Sequence, residues 1–264
     1  MATKSTTRSK TSSVKPDPRI TQRRKQVKRS NVRKRLWIIG GLVGVVAIVV
    51  GGWMLLHTTL FSAKTVTVSG AVHEDSAQVI AAAGLSDHPA LIGIDVGAAE
   101  AGVNALPWVR SSTVQLHWPS SVAIIVVERT PVASVGMGTT TAVIDAEGRV
   151  LALEKTPPAG LVSMTLPGSE KIVPGAMLGA KALGAVQVAA TLPAAFKGQV
   201  ATVVANNDGS VTLQLTTPVR VDMGTATHLE EKYRDIASVI AGATLHPGDV
   251  IDVSVPQAST ITGP

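Results

Sequence analysis

Residues 36–56, LWIIGGLVGVVAIVVGGWMLL, decide how this chain is built, because they form 21 consecutive positions without a charged side chain. A helix of about 20 apolar residues is long enough to cross a bilayer core. A basic cluster at 28–35 precedes the segment, and the first charged residue after it is Lys64. By the positive-inside rule we predict a transmembrane helix over 36–57, with the N-terminus in the cytoplasm and the following domains outside.

A cleaved secretory signal is the alternative interpretation of this segment. The apolar region of a signal peptide runs for about 7–15 residues and ends at a small-x-small site. The segment here is longer, and the residues after it contain only a poor cleavage site at Ala63, with Phe61 two positions earlier. The sequence therefore favours an uncleaved plasma-membrane anchor.

The excess positive charge of the chain lies in its first 35 residues. They hold 13 Lys and Arg but a single acidic residue, Asp17, whereas the rest of the chain has a net charge of −6. We predict that 1–35 is a disordered tail, because it has too little apolar surface to fold. Attraction to anionic lipid explains the charge. Nucleic-acid binding is the alternative, but no nucleic acid is expected, because 1–35 contains no aromatic side chain to stack on a base.

The pattern after the membrane segment predicts a β-α-α-β-β domain over 61–130. Its strands alternate and are rich in β-branched residues, and Gly84 and Pro107 follow its helices. The predicted strands are 64–69, 109–117 and 121–129, and the predicted helices are 75–83 and 97–106.

Residues 131–256 are predicted to form a mainly β domain with one C-terminal helix. Hairpins are expected at 141–153 and 199–216, the latter around Asn206–Gly209. A capping box from Thr227 to Glu230 predicts a helix over 228–241, with Tyr233 on its apolar stripe. The last predicted strand is 250–255, followed by a flexible tail at 257–264.

No catalytic or metal-binding pattern stands out in the sequence. The chain has no cysteine, and its six histidines do not show the spacing of metal ligands. Asp145 and Glu147 fit a polar hairpin turn, and His73-Glu74-Asp75 fits a loop that leads into a helix. We therefore expect no enzyme, no cofactor and no small-molecule substrate. An extracytoplasmic enzyme whose polar residues meet only in the fold stays an alternative.

Several blocks of the sequence resemble one protein family. They include LPWV at 106–109, Trp118-Pro119, ERTPVA at 128–133 and VIDAEGRVL at 143–151. The first strand also ends in Val66-Thr-Val-Ser-Gly70, and Met223-Gly224 precedes the helix that contains Lys232. The chain is similar in these blocks to the FtsQ/DivIB cell-division proteins. The resemblance implies an α+β fold: a disordered cytoplasmic tail, one transmembrane helix, a POTRA domain, and a mainly β domain that ends in an edge strand.

The resemblance also implies a function. FtsQ/DivIB proteins are non-enzymatic scaffolds of the divisome, concentrated at the division septum. They recruit the small coiled-coil proteins FtsB and FtsL and, through them, the septal peptidoglycan synthase. In this setting Trp108 and Trp118 are interpreted as packing residues, and Glu128-Arg129 as a contact site or a charge pair at the end of a strand.

The final predicted strand is the candidate partner-binding site. A strand at the edge of a sheet has unpaired backbone groups that an incoming strand can bind. The alternative is that this strand lies inside the sheet and leaves only 257–264 exposed. The predicted binding residues are Val250, Ile251, Asp252, Val253, Ser254 and Val255, with Tyr233 on the helix beside them.

Two other function classes compete with the divisome scaffold. One is a POTRA-bearing accessory of protein secretion or envelope assembly, because POTRA domains generally bind polypeptides. The other is a glycan binder. The chain has two Phe and one Tyr, which argues against a surface of aromatic rings for stacking on sugars.

Overall fold

The computed structural model describes residues 18–56, 61–168, 172–255 and 258–263. The chain divides into two compact units, Met1–Thr58 and Thr59–Pro264. The first unit contains helix α1, and the second contains two β-sheets with their covering helices. The α+β class predicted from the sequence is confirmed.

Helix α1 spans Pro18–Leu56, and Arg35–Met54 within it is long and apolar enough to cross a membrane. The predicted disorder of 1–35 is wrong for residues 18–35, which are helical; residues 1–17 lie outside the described part of the chain. Proline suits the first position of a helix, and Arg, Lys and Gln are good helix formers. Extending a helix that already exists also avoids the cost of a new nucleus.

The three-stranded sheet has the order β1-β3-β2, in which β1 and β3 are parallel and β2 and β3 are antiparallel. A short 3₁₀ helix at Leu91–Gly93 lies between the two helices of this domain. The predicted β-α-α-β-β order is therefore present. The elements are β1 (Thr65–Ser69), α2 (Ser76–Ala82), α3 (Val96–Asn104), β2 (Val109–His117) and β3 (Ser121–Glu128).

Helices α2 and α3 share one hydrophobic core with the three-stranded sheet. Asp75 and Asp95 cap the helices, each accepting a hydrogen bond from a backbone N–H of the first turn. Gly102 permits the close approach of the helices, because a Cβ there would lie 2.0 Å from the carbonyl oxygen of Ala82. The fully or almost fully buried apolar side chains of this core include Val79, Leu85, Leu91, Val103, Val122 and Ile124.

The second sheet has nine strands in the order β12-β11-β10-β9-β8-β7-β4-β5-β6. Its first strands are β4 (Pro131–Met137), β5 (Thr140–Asp145), β6 (Val150–Glu154) and β7 (Val162–Thr165). The later strands are β8 (Val200–Ala205), β9 (Val211–Leu215), β10 (Arg220–Gly224), β11 (Val250–Asp252) and β12 (Thr260–Thr262). The helices are α4 (Ala180–Thr191), α5 (Ala194–Lys197) and α6 (Leu229–Gly242).

Helices α4 and α6 pack into the core of the nine-stranded sheet. Helix α4 buries the small side chains of Ala182, Ala185 and Ala189, and α6 buries Leu229 and Ile236. Full burial of a large aliphatic side chain stabilises a fold by roughly 1.5–3 kcal/mol. Helix α4 was not predicted, because its small residues have no clear apolar and polar sides in the sequence.

Helix α6 begins without the predicted capping box. His228 is its N-cap residue, with a left-handed backbone (φ 54°) and no capping hydrogen bond from its side chain. The side chain of Thr227 instead lies 3.1 Å from the hydroxyl of Thr225. A capping box joins the N-cap residue to the third residue of the helix. The left-handed turn makes residue 228 the N-cap, so Thr227 lies one position too early to form a capping box with Glu230.

Candidate functional site

The final strand predicted at 250–255 is not the edge of the sheet. Strand β11 covers only Val250–Asp252 and lies between two neighbours, with β10 parallel on one side and β12 antiparallel on the other. The chain returns after Val255 and adds Thr260–Thr262 as β12, within the segment that was predicted to be a flexible tail. The alternative in which 250–255 is interior therefore describes this strand correctly.

The predicted contact residues in 250–255 have very different environments. Ile251 and Val253 are fully buried, and the N–H of Val253 donates to the carbonyl of Asp222 at 2.9 Å. Ser254 is exposed, and Val255 has 60% of its surface exposed. Of these four, only Ser254 and Val255 have side chains that can be reached from solvent.

Tyr233 joins α6 to α4. Its hydroxyl donates to the carbonyl of Val188 at 3.1 Å and lies 3.1 Å from the hydroxyl of Thr191. Burial raises the pKa of Tyr233, and the hydrogen bond with Thr191 only partly opposes that effect. The structure accounts for Tyr233 as a packing residue, and its predicted role in partner binding stays a prediction.

Lys232 is a buried charged residue whose environment the sequence pattern did not predict. Its side chain is fully buried, and Nζ donates to the carbonyls of Met223 at 2.7 Å and Thr225 at 2.8 Å. These carbonyls lie at the irregular end of β10, where Gly224 has a left-handed φ of 62°. Burial lowers the pKa of Lys232, although the charge of Asp252 on β11 opposes that effect. Lys232 thus fastens α6 to the end of β10 beside β11.

The two ends of the nine-stranded sheet differ in how open they are. At the β6 end, the N–H of Val150 donates to Ala176 and the carbonyl of Val150 accepts from Gly175, so the 175–177 segment covers the beginning of the strand. At the other end, β12 pairs with β11 through all three of its residues, and no further strand lies beside it among the described residues. We call the outer side of Thr260–Thr262 the β12 edge.

A second site lies where the two sheets meet. The three sequence blocks at 106–109, 128–133 and 143–151 come together there, although they are distant in the chain. We call Trp108, Arg129, Asp145, Glu147 and Arg149 the junction cluster.

Arg129 is the central charge of the junction cluster. Its Nη1 donates to Asp145 Oδ2 at 2.6 Å and to Glu147 Oε2 at 2.7 Å, and its Nε donates to the carbonyl of Val109 at 3.0 Å. Burial alone would lower the pKa of Arg129, but the hydrogen bonds and charges of Glu147 and Asp145 raise it above its ordinary value. The arginine at the end of β3 is thereby tied to the turn between β5 and β6.

Trp108 and Arg149 complete the connection between the two sheets. Trp108 is buried against Val143 and Leu151 of the nine-stranded sheet. Arg149 Nη2 donates to the carbonyl of Ala105, the C-terminal cap of α3, at 2.8 Å. The interpretation of Trp108 as a packing residue agrees with the structure. The same interpretation is wrong for Trp118, which lies in the turn after β2 and has 53% of its surface exposed.

Glu128, the last residue of β3, binds the loop before α2. This carboxylate accepts from the N–H groups of Val72 at 2.6 Å and His73 at 2.8 Å, and it lies 2.7 Å from His73 Nδ1. The His73 ring stacks on Trp108 at 4.0 Å, with 6° between the two planes. Glu128 and Arg129 therefore have different partners: Glu128 binds the loop before α2, and Arg129 binds the turn between β5 and β6.

The acid dependence of stability is a test of the Glu128 contacts. Burial alone would raise the pKa of Glu128, but hydrogen bonds from His73 and Val72 hold it below its ordinary value of 4.5. A carboxylate with a lowered pKa in the folded state stabilises the fold above its ordinary pKa and stops doing so as the pH falls through the folded pKa. We expect Glu128→Gln to cost about 1–2 kcal/mol of unfolding free energy at pH 7, and the difference from wild type to shrink below pH 4.5.

Urea unfolding of both proteins between pH 7 and pH 3 measures this difference. Asp87→Asn changes an exposed carboxylate and is the control, for which we expect little change. A Glu128→Gln penalty that stays constant over the whole pH range would contradict the role given to this carboxylate.

Two family models match the chain, and together they cover the three-stranded sheet and most of the nine-stranded sheet, but not β12. One, described as POTRA domain, FtsQ-type, matches residues 61–129, and the other, Cell division protein FtsQ/DivIB, C-terminal, matches residues 133–254.

Curated relatives that carry the name Cell division protein FtsQ match most of the chain. The protein from Streptomyces venezuelae is 31% identical over 228 residues, which are 84% of this chain and 82% of the relative. The protein from Mycobacterium tuberculosis is 30% identical, with 83% of this chain and 68% of the relative covered. The protein from Mycobacteroides abscessus is 29% identical over 83% of this chain and 67% of the relative.

Proposed function

Because the chain belongs to the FtsQ/DivIB family of bacterial cell-division proteins, we propose that it is a non-enzymatic scaffold of the divisome. In this proposal α1 anchors the chain in the plasma membrane, with the N-terminus in the cytoplasm and both sheets outside, and the protein concentrates at the septum. The basic residues before the apolar segment support this orientation. The partners are coiled-coil membrane proteins of the FtsB/FtsL type, which connect the scaffold to the septal peptidoglycan synthase.

The β12 edge is the proposed docking site. The observation that supports this choice is that no strand of the described residues pairs with its outer side. All three residues of β12 are exposed, and their outer backbone groups face no other strand of the described chain. A partner segment in extended conformation can bind such an edge through backbone hydrogen bonds. Among the residues predicted as contacts, Ser254 and Val255 are exposed close to this edge and can add side-chain contacts.

The cover over β6 supports the choice of β12 over the opposite end of the sheet. The 175–177 segment already occupies backbone groups at the beginning of β6. An incoming strand that paired along the whole of β6 would have to displace the hydrogen bonds of Val150, whereas pairing with β12 breaks no bond among the described residues.

In-cell photo-crosslinking compares the two ends of the sheet directly. Ile261 on β12 and Leu153 on β6 are matched positions, because 44% and 39% of their surfaces are exposed. With a photoreactive amino acid at each position in turn, we expect position 261 to trap a small single-span coiled-coil protein and position 153 to trap none. Mass spectrometry identifies the adduct.

The same experiment separates the proposal from its rival. No adduct at 261, with adducts to translocating or outer-envelope proteins from positions in 64–129, would favour an accessory of protein secretion or envelope assembly. Equal trapping of the coiled-coil protein at 153 and 261 would remove the β12 edge as the specific docking site, while the divisome role would remain.

A further inference from the structure

An aromatic pair lies at the end of the three-stranded sheet where the chain enters the domain. The rings of Phe61 and Trp118 lie 5.9 Å apart between centroids and are tilted by 58°. The backbone holds the two segments together, because the N–H of Thr65 donates to the carbonyl of Ser120 at 3.2 Å. Trp118 has 53% of its surface exposed although it is in contact with Phe61.

This exposure contrasts with the other aromatic side chains outside α1. Trp108 and Tyr233 are buried, and Phe196 packs partly buried against the core of the nine-stranded sheet. Among the Phe, Tyr and Trp side chains in the described parts of 61–263, Trp118 is therefore the only exposed one. A tryptophan with an apolar ring and a polar N–H suits a boundary between an apolar phase and water, and Phe61 beside it enlarges the apolar surface.

The covalent chain keeps this pair close to the bilayer. Four residues, 57–60, separate Leu56 at the end of α1 from Phe61. Even a fully extended chain covers at most about 3.3–3.6 Å per residue, so Phe61 is within roughly 18 Å of the end of the helix. The headgroup region on each side of a bilayer core is about 5–8 Å thick. Phe61 can therefore lie within the headgroup layer, and the four residues limit how far outside that layer it can be.

Tryptophan already marks both ends of the membrane span. Trp37 and Trp53 lie near the two ends of the Arg35–Met54 segment. Tryptophan and other aromatic side chains are enriched at the membrane–water interface, because a flat ring with one polar group suits the headgroup layer. Lys64 is exposed three positions after Phe61 and adds a positive charge that suits anionic headgroups.

We propose that Phe61 and Trp118 form a membrane-docking surface that inserts into the headgroup layer of the outer leaflet. The occupant is the lipid surface itself, with Lys64 beside an anionic headgroup. Contact at this surface sets which end of the three-stranded sheet faces the lipid. This docking surface rests on the membrane orientation proposed above, but not on the divisome role or on the β12 edge.

Site-directed spin labelling of the full chain in lipid nanodiscs tests the surface. The chain contains no cysteine, so one introduced cysteine carries a unique label. His117→Cys places the label on an exposed residue next to Trp118, and Asn207→Cys places it on an exposed turn of the nine-stranded sheet. The nanodiscs contain phosphatidylethanolamine and phosphatidylglycerol. We expect oxygen, which concentrates in lipid, to increase the relaxation rate of the label at 117 more than a water-soluble nickel complex does. The label at 207 should show the reverse.

A matched pair of substitutions tests the role of the tryptophan. Trp118→Ser and Val127→Ser each remove an apolar side chain with 53% of its surface exposed, Trp118 from the turn between β2 and β3 and Val127 from the far end of β3. In the His117→Cys background, Trp118→Ser should shift the label to the water-exposed signature and Val127→Ser should leave it unchanged. Trp118→Tyr, which keeps an interfacial ring, should preserve the lipid signature.

Three outcomes would overturn the proposal. The first is a label at 117 that is as accessible to nickel as the label at 207, a result that needs no change at Trp118 and so does not depend on how that variant folds. The second is a lipid signature that survives Trp118→Ser in a variant whose circular dichroism matches wild type. The third is protection at 117 that appears only after another membrane protein is added, because the surface would then bind protein.

Discussion

Replacing Arg129 with alanine is expected to cost about 3–5 kcal/mol of unfolding free energy, because it leaves a buried carboxylate without its charged partner. Asp145 has 3% of its surface exposed, and Arg129 is 2.6 Å from it. The N–H groups of Glu147 and Arg149 still donate to Asp145 Oδ1 at 2.9 and 2.8 Å. These two neutral donors do not replace the positive charge.

Arg110→Ala is the matched control for this variant. Arg110 belongs to the same part of the structure, but its Nη2 lies 3.9 Å from Glu147 and 66% of its side chain is exposed. An exposed pair of this kind contributes about 0–1 kcal/mol. Urea unfolding of the full chain in nanodiscs, followed by tryptophan fluorescence, compares both variants with wild type. Equal losses of unfolding free energy in the two variants would show that the buried ion pair of Arg129 stabilises the fold no more than the exposed pair of Arg110.

A double substitution separates the charge from the packing. Asp145→Asn in the Arg129→Ala background removes the unpaired charge but keeps the size of the side chain. We expect it to recover part of the loss, because the remaining penalty is then the lost contacts of the guanidinium and not a buried ion. Full additivity of the two single substitutions would contradict a direct coupling between Arg129 and Asp145.

Lys232→Ala is expected to cost about 3 kcal/mol, because it leaves a cavity in the place of a long buried stem and two carbonyls without their donor. Lys232→Met keeps most of the volume and should cost less, about 1–3 kcal/mol, for the carbonyls of Met223 and Thr225 alone. Lys181→Ala on the exposed side of α4 is the control, with an expected change within about 0.5 kcal/mol.

Hydrogen exchange locates the effect of Lys232→Ala. The lysine fastens α6 beside β10 and β11, so the amides of Val250–Asp252 and Thr260–Thr262 should exchange faster than in wild type while those of β2 and β3 keep their rates. If the β12 edge is the docking site, trapping from position 261 should fall in parallel. Unchanged exchange in β11 and β12 would mean that Lys232 does not support the edge.

The sequence was most informative where an element is long and regular. The strand boundaries predicted for 109–117 and 121–129 agree with β2 and β3 to within one residue, because both alternate over eight or nine positions. Helix α6 was predicted for the same reason, since Leu229, Tyr233 and Ile236 repeat at helical spacing. Its first residue was predicted one position too early, because cap geometry depends on a backbone turn that the pattern does not contain.

The candidate site was harder to predict because it is made by small or distant features. Thr260–Thr262 is only three residues long, and its pairing with β11 decides which strand forms the edge. Buried lysines are rare, so nothing in the helical pattern indicates that Lys232 lies in the core. Arg129 and Asp145 were both visible in the sequence, but their contact depends on how two separate sheets meet.

The cover on β6 has a consequence for self-association. A sheet with two open ends can add copies of itself without limit and grow into a fibre, as any head-to-tail contact that does not close can do. Here growth from the β6 end would first require removal of the 175–177 segment. Two copies that met through β12 would instead close with two-fold symmetry and stop. The molecule can therefore offer an exposed edge strand for binding while limiting its own polymerisation.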